Sequence, residues 1–417
     1  MSGQLPPRDA AAFVDDRDAL LASLGNRRPD VTLAYRAFNP YPWEVEADEL
    51  TTLERLSRCL RRAARAFVEN YLVDDRLRRI VALEPRIEAW LRVALDRPYS
   101  LGAIRPDFLH ASDGTLTVNE INARFPLNGF LVSEVLSRAI AEVPYRSRLT
   151  KAFEPIAGLV GISAALERLV RTRESALVIK GVEHGYDIRL LMDLWHLGDS
   201  ARPADVTLAE LQGRFAMLEL HQHELLNEMS GETMSALARD GGHLNDLRTI
   251  FLVHDKRLLA VMTGDILRDY LDGDDVDLLH RHVAATYVVG LDETTRKEAS
   301  EHPSDWVLKP HLLGKAEGIV LGSQVPADAW RGAIDASDPR WVLQRFVSQR
   351  TFPIISEIDG EVAVRPMHVI GLLPSLDEEF FGPGIYRAGL GPIVNVAGGG
   401  TILAPVVSQS ALAARRS

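Results

Sequence analysis

The chain is poor in cysteine, in basic charge and in long apolar runs, and each shortage excludes something. Its 417 residues include one cysteine, Cys59. A single thiol allows no disulfide within the chain and no cysteine-based zinc site. It suits a reducing cytoplasm, which is the expected location. Cys59 falls in a helical pattern with Leu56, Leu60 and Ala63 and reads as a buried structural thiol. Lysine and arginine number 47 against 58 acidic residues, for a net charge of −11. A nucleic-acid binder needs a basic face, so no nucleic-acid partner is expected. No segment approaches the roughly 18 uncharged apolar residues of a membrane helix. Met1 to Asp16 lacks the basic-then-apolar order of a signal peptide, so no membrane partner is expected either.

What remains is ordinary for a globular enzyme of two or three structural units: 46% apolar and 25% charged residues. Residues 49–71 repeat apolar side chains at helical spacing (Leu50, Leu53, Leu56, Leu60, Ala63, Phe67, Tyr71), with Asp48 as the expected N-cap. A second helix is expected over 76–95, interrupted at Pro85, and a third over 130–141 after Asn128-Gly129. Residues 175–255 read as a small α/β unit with a short parallel sheet. Its strands are expected at 176–179, 206–208 and 249–253, with a helix over 188–195. Gly181 and Gly185 follow the first strand without forming a GxGxxG fingerprint. Beyond 256 helix and strand alternate and strand then dominates: 306–310, 318–322, 341–347, a hairpin around Asp359-Gly360, and 393–396.

One hairpin carries chemistry. Ile104 to Leu109 is extended, Ser112-Asp113-Gly114 is a turn signal, and Thr115 to Ile121 alternates as a strand does. With the turn centred between Asp113 and Gly114, Asp107 lies opposite Glu120 and Arg105 opposite Asn122. Side chains two apart share a face, so all four meet on one patch. Two opposed carboxylates repel, and a divalent cation removes that penalty. Carboxylate and amide oxygens are hard ligands that suit Mg²⁺, and Arg105 beside them suits a phosphate oxygen. The alternative is a surface salt-bridge patch, and a register slip of one residue breaks the argument.

Further cations lie late in the chain. Lys309 ends the apolar run Trp306-Val307-Leu308. The loop that follows, His311 to Gly318, has glycines at 314 and 318 and a lysine at 315. Such a loop can fold over phosphates. A plain hairpin connection is an equal reading. Lys256 follows His254-Asp255 at the expected end of a strand.

Together these motifs resemble the ATP-grasp enzymes, in the circularly permuted order typified by the synthetase half of glutathionylspermidine synthase. Arg105-x-Asp107, the turn and Glu120-Ile121-Asn122 are similar to that family's phosphate-binding arginine and magnesium ligands. His254-Asp255-Lys256 resembles its first ATP lysine, Trp306 to Pro310 its second, and the loop to Gly318 its lid. Gln344 resembles the start of the hinge strand that meets adenine, and Arg387 a late phosphate-contacting arginine.

The resemblance implies an α/β (α+β) fold with N-terminal helices and a small Rossmann-like unit ahead of the ATP-binding part. The domains expected are 1–150 (helices plus metal hairpin), 151–255 (the small unit) and 256–417 (lysines, lid and hinge). It implies ATP and Mg²⁺ as cofactors, with Asp107, Glu120 and Asn122 on the metal. Lys256, Lys309, Gly314, Lys315, Gly318 and Gln344 would hold the nucleotide, and Arg105 and Arg387 the transferring phosphoryl group. The implied activity is an ATP-dependent carboxylate–amine ligase acting through an acylphosphate on small-molecule substrates. Alternatives are a small-molecule phosphotransferase and a non-catalytic nucleotide-binding subunit. Residues 150–250 carry no recognisable substrate motif, and oligomeric state is open.

Overall fold

The computed structural model describes residues 2–7, 10–25, 37–124, 127–182, 185, 187–196, 200–314, 316–394, 396 and 399–408. Lys315 and Asn395 lie outside the described residues.

An antiparallel sheet of eight strands forms the centre. Its strand Ala103–His110 is flanked by Leu116–Asn122 on one side and by Glu361–Leu372 and Ser375–Leu376 on the other. Tyr386–Gly389 and Thr401–Leu403 continue the sheet. Alternation divides its faces. One face buries an aromatic core in which Trp43 stacks on Tyr386 (centroids 5.2 Å apart) and meets Phe352 edge-on. The other face presents Asp107, Ile370, Leu372 and Arg387 to a cavity.

A second antiparallel sheet lies across that cavity, in the order Val320–Leu321, Trp306–Lys309, Val342–Arg345, Thr286–Val288. Trp306 and Leu308 pack outward with Trp330, Ile334 and Leu343. Val307 and Lys309, on the opposite side of the same strand, line the cavity. The two sheets are tied at the hairpin. Ala284 N–H donates to the Val118 carbonyl (2.9 Å) and Ser112 N–H to the Ser348 carbonyl (2.7 Å).

Residues 175–244 form a three-stranded parallel sheet, Ser175–Lys180, Arg214–Glu219 and His243–Leu244. The parallel unit is as expected, but two of its strands differ. Thr207 caps the short helix Leu208–Leu211 through a reciprocal capping box with Glu210, so 206–208 is not a strand. Thr249–Val253 is a π-helical turn, buried on every side. An apolar run with no exposed face has no periodicity to separate helix from strand. Arg214–Glu219 went unrecognised because Ala216, Met217 and Leu218 favour helix as readily as strand.

The long helix spans Ala47–Asn70 with Glu46 as N-cap, and Asp48 sits inside the first turn. Pro85 opens a separate helix, Pro85–Val93, at a position where its missing N–H costs nothing. Phe130–Glu142 follows Gly129, whose φ of 90° suits glycine. The stretches 318–322 and 341–347 contribute only Val320–Leu321 and Val342–Arg345 as strands, and described residues in 393–396 are not in strand.

Candidate functional site

The hairpin has the pairing that brings its four polar side chains together, by a route the turn alone does not explain. Asp107 pairs with Glu120 and Arg105 with Asn122. Nearer the turn the partners are Phe108 with Val118 and His110 with Leu116, so the turn centres on Asp113, not between Asp113 and Gly114. The register shifts at Asp107/Phe108, and Asn119 is the extra residue of a β-bulge. With this turn, an unbulged hairpin of the same sequence would set Asp107 opposite Asn119 and turn Glu120 to the aromatic face.

The bulge also supplies a contact. The Asn119 carbonyl accepts from Lys309 Nζ (3.4 Å) and from Gln344 Nε2 (3.3 Å) on the facing sheet. Lys309 Nζ donates in addition to Gln344 Oε1 at 2.6 Å, and Gln344 Nε2 to Thr286 Oγ1 at 2.9 Å. Gln344 thus holds the lysine with its side chain.

Charges alternate across the cavity floor. Arg387 Nη2 lies 2.6 Å from Asp107 Oδ2, and Arg105 Nε lies 3.6 Å from Asp107 Oδ1. Lys256 Nζ lies 3.0 Å from Glu120 Oε1 and donates to the Leu313 carbonyl of the lid loop at 2.5 Å. Burial pushes the Glu120 carboxyl up, but Lys256 and Lys309 outweigh it and hold the group at about 2. Burial draws Lys309 down to about 8, against the pull of Glu120. Burial likewise lowers Arg105.

Asp107, Glu120 and Asn122 line one cavity of about 250 Å³. Asp107 Oδ1 is buried there without a hydrogen-bond partner. A bare buried carboxylate oxygen beside a second carboxylate and an amide fits a hard divalent cation such as Mg²⁺. Among the described residues no three acidic, histidine or cysteine groups cluster as metal ligands, so the third oxygen here would be the Asn122 amide.

Lys309, Gly314, Gln344, Arg105 and Arg387 line the same cavity, and Lys256 reaches it through Glu120. Gly314 lies so close to Arg124 that a Cβ would sit 2.6 Å from its Nη2. Gly318 is not on the cavity wall. Its φ of 69° turns the loop back over Pro310, where a Cβ would meet Cγ at 2.7 Å.

Three residues of the cavity region escaped the sequence reading, and a fourth, His254, entered it only as a neighbour of Lys256. Arg124 is buried and donates its Nε–H to His254 Nε2 at 2.9 Å. That bond needs a lone pair on Nε2 and therefore a neutral ring. Burial, with Arg124 and Lys256 nearby, holds His254 well below its usual range. Asp187 and Glu219, from the parallel-sheet unit, are the other two. A signal for them existed: Glu219 ends a parallel strand, and ligands gather beyond the carboxyl ends of such strands.

Residues 56–252 match the family described as the AnkG N-terminal domain. Over 183 residues the chain is 27% identical to the ATP-grasp enzyme ankG of Aspergillus thermomutatus, covering 40% of this chain. The match spans 37% of that relative's length. These matches tie a stretch just under half of the chain to an ATP-grasp enzyme. In fold, the chain is similar to a glutathione synthetase-like effector from Globodera pallida in its apo form. The TM-score is 0.54 at 11% identity, covering 94% of this chain and 96% of that one. No helix among the described residues is long and apolar enough to cross a membrane.

Proposed function

We propose that the chain is an ATP- and Mg²⁺-dependent carboxylate–amine ligase that works through an acylphosphate and releases ADP and phosphate. The observation that carries this reading is the convergence, in one cavity between two antiparallel sheets, of Asp107, Glu120 and Asn122 with Arg105, Arg387 and Lys309, and with Lys256 paired to Glu120.

In this reading Asp107, Glu120 and Asn122 hold magnesium, which supplies charge neutralisation at the phosphate oxygens. ATP lies between the sheets with its phosphates toward Lys256 and Lys309. The substrate carboxylate attacks the γ-phosphorus, a P–O bond forms, and the bond to ADP breaks. Arg105 and Arg387 stabilise the charge on the transferring group, since this chemistry depends chiefly on positioning and electrostatics. The 311–318 loop closes over the site, with Lys315 as a further phosphate contact, and excludes water from the acylphosphate. An amine then displaces phosphate to form the amide.

The order of the motifs along the chain supports a circularly permuted ATP-grasp arrangement. The metal hairpin at 103–122 comes before the lysine strand at 306–309, yet the two face one another across the site. The relative's description as an ATP-grasp enzyme supports an enzymatic role.

The test is release of ADP and phosphate by the full chain with ATP and Mg²⁺ against a panel of amino acids, dicarboxylates and short peptides, each with and without amines. Products are identified by mass spectrometry. ADP, phosphate and an amide in equal amounts are expected, and Glu120→Ala abolishes all three. AMP and pyrophosphate would overturn the acylphosphate route.

A further inference from the structure

Asp187 and Glu219 form a second acidic pair, away from the metal hairpin. Each is 1% exposed. Asp187 precedes the helix Ile188–Leu194 and lines the cavity beside Arg105, Asn128 and Gly129. Glu219 ends the middle parallel strand, near enough for the Asp187 charge to act on it. Each carboxyl spends one oxygen on backbone. Asp187 Oδ2 accepts the Val132 N–H at 3.1 Å, and Glu219 Oε2 accepts the Gly185 N–H at 3.2 Å. The other oxygens, Asp187 Oδ1 and Glu219 Oε1, are buried and have no partner.

A structural role accounts for part of this. Asp187 fastens the start of the Phe130–Glu142 helix, where the backbone of Val132, Gly129 and Leu131 favours its charged form. It does not account for a second carboxyl oxygen buried without a hydrogen-bond partner on a residue of the cavity wall, nor for a second acid near enough to feel its charge. Two neighbouring acids without water raise each other's cost of ionisation and leave room for a cationic ligand. Burial, together with this mutual repulsion in the case of Glu219, raises Asp187 to about 6 and Glu219 to about 8, so the pair exchanges protons near neutrality. The charged group facing both from the hairpin is Arg105, whose guanidinium bonds the Asn128 carbonyl and pairs with Asp107 on its other side. The acidic pair therefore lies one guanidinium away from the metal hairpin.

We infer that Asp187, backed by Glu219, is the subsite that receives the attacking amine of the ligase, binding it as an ammonium and taking one of its protons. This rests on the ligase reading above. The amine enters as R–NH₃⁺ and gives one proton to Asp187. The nitrogen lone pair then forms the C–N bond to the acylphosphate carbonyl. The C–O bond to phosphate breaks, phosphate leaves with the bonding electrons, and it takes up the second nitrogen proton. Asp187 touches the amine. Glu219 is a positioning residue that shares the proton.

Hydroxylamine tests this, because it is uncharged at neutral pH and needs no proton acceptor before attack. The full chain is given ATP, Mg²⁺ and the acid panel, with either hydroxylamine or primary alkylamines and amino acids as nucleophile. Hydroxamate and amide are measured for the unmodified chain, Asp187→Asn and Glu219→Gln. Asn at 187 still accepts the Val132 N–H, so the helix anchor survives. In Asp187→Asn the amide-to-hydroxamate ratio is expected to fall about a hundredfold, the size of a lost proton acceptor. In Glu219→Gln it falls less, and the pH profile of amide formation shifts. An unchanged ratio, whether both products persist or both vanish together, overturns the amine subsite and leaves the ligase standing. Absence of hydroxamate from the unmodified chain with every acid overturns the ligase reading, and the subsite with it.

Discussion

Arg387 and Asp107 form a 2.6 Å ion pair on the cavity face of the central sheet, although 280 residues separate them in sequence. The guanidinium occupies one carboxylate oxygen of the proposed metal ligand, while the other accepts no hydrogen bond and has only Arg105 Nε at 3.6 Å. On the proposed ligase reading, Arg387 would both stabilise phosphoryl charge and compete with a cation for Asp107. Arg387→Met is expected to lower turnover by about 10²–10³-fold, as loss of a charge-stabilising donor does. The Mg²⁺ concentration for half-maximal nucleotide binding should fall. A magnesium titration of nucleotide binding, read beside ADP release, checks both, and a rise in the magnesium requirement contradicts the competition.

Lys309 gives a pH prediction. Its folded value of about 8 lies below the ordinary lysine value of 10.5. Between these two values the unfolded chain binds more protons than the folded one, so this residue makes stability rise with pH across that window. Below pH 8 the buried charge is a full penalty. Lys309→Met should therefore make the free protein more stable than the unmodified chain at pH 7, by on the order of 1–3 kcal/mol. The gap should close between pH 8 and 10.5, and nucleotide binding should be lost throughout. Urea denaturation at several pH values measures the first effect. A gap that widens with pH contradicts it.

Gly371 is a fold prediction. It lies between Phe108 and Tyr386 in the central sheet, and a Cβ there would come within 2.3 Å of Phe108 Cζ and 2.8 Å of Tyr386 Cε1. Both rings are fully buried and cannot retreat. Gly371→Ala is expected to destabilise the chain by about 1–3 kcal/mol through overpacking. Chemical denaturation tests this, with no change expected for the exposed Gly360→Ala beyond the strain of its turn.

His254 orients Arg124 as a neutral acceptor. His254→Leu strands a buried guanidinium N–H and should cost about 1–3 kcal/mol. His254→Gln, which keeps an acceptor, should recover part of it. Equal losses in thermal unfolding would show that packing alone is at stake.

Much of the 103–122 hairpin was legible because a strand's period of two is rigid. Once Asp107 and Glu120 are opposed, Arg105 and Asn122 must join them. The lysine strand was legible for a similar reason, since Lys309 interrupts an apolar run at its end. The middle unit was harder to read. Thr249–Val253 is apolar on all sides, and Arg214–Glu219 mixes helix and strand formers, so no local signal separates the two states. Asp187 and Glu219 are distant in sequence and meet only through the parallel sheet and the loop before Ile188. Arg124 stands two residues past Asn122, but its role depends on His254, which comes from a buried turn read as a strand.

The bulge at Asn119 has a consequence for descent. The sheet needs only that backbone pairs with backbone, and it tolerates one residue more or fewer. The site depends on parity: Glu120 must fall on the same side as Asp107. A relative one residue shorter between these two acids satisfies parity with a regular hairpin, but then lacks the Asn119 carbonyl that Lys309 and Gln344 share. A relative of equal length must keep the bulge or move the turn to centre between two residues. Single-residue changes in this hairpin thus separate descendants that keep the fold from those that keep the chemistry.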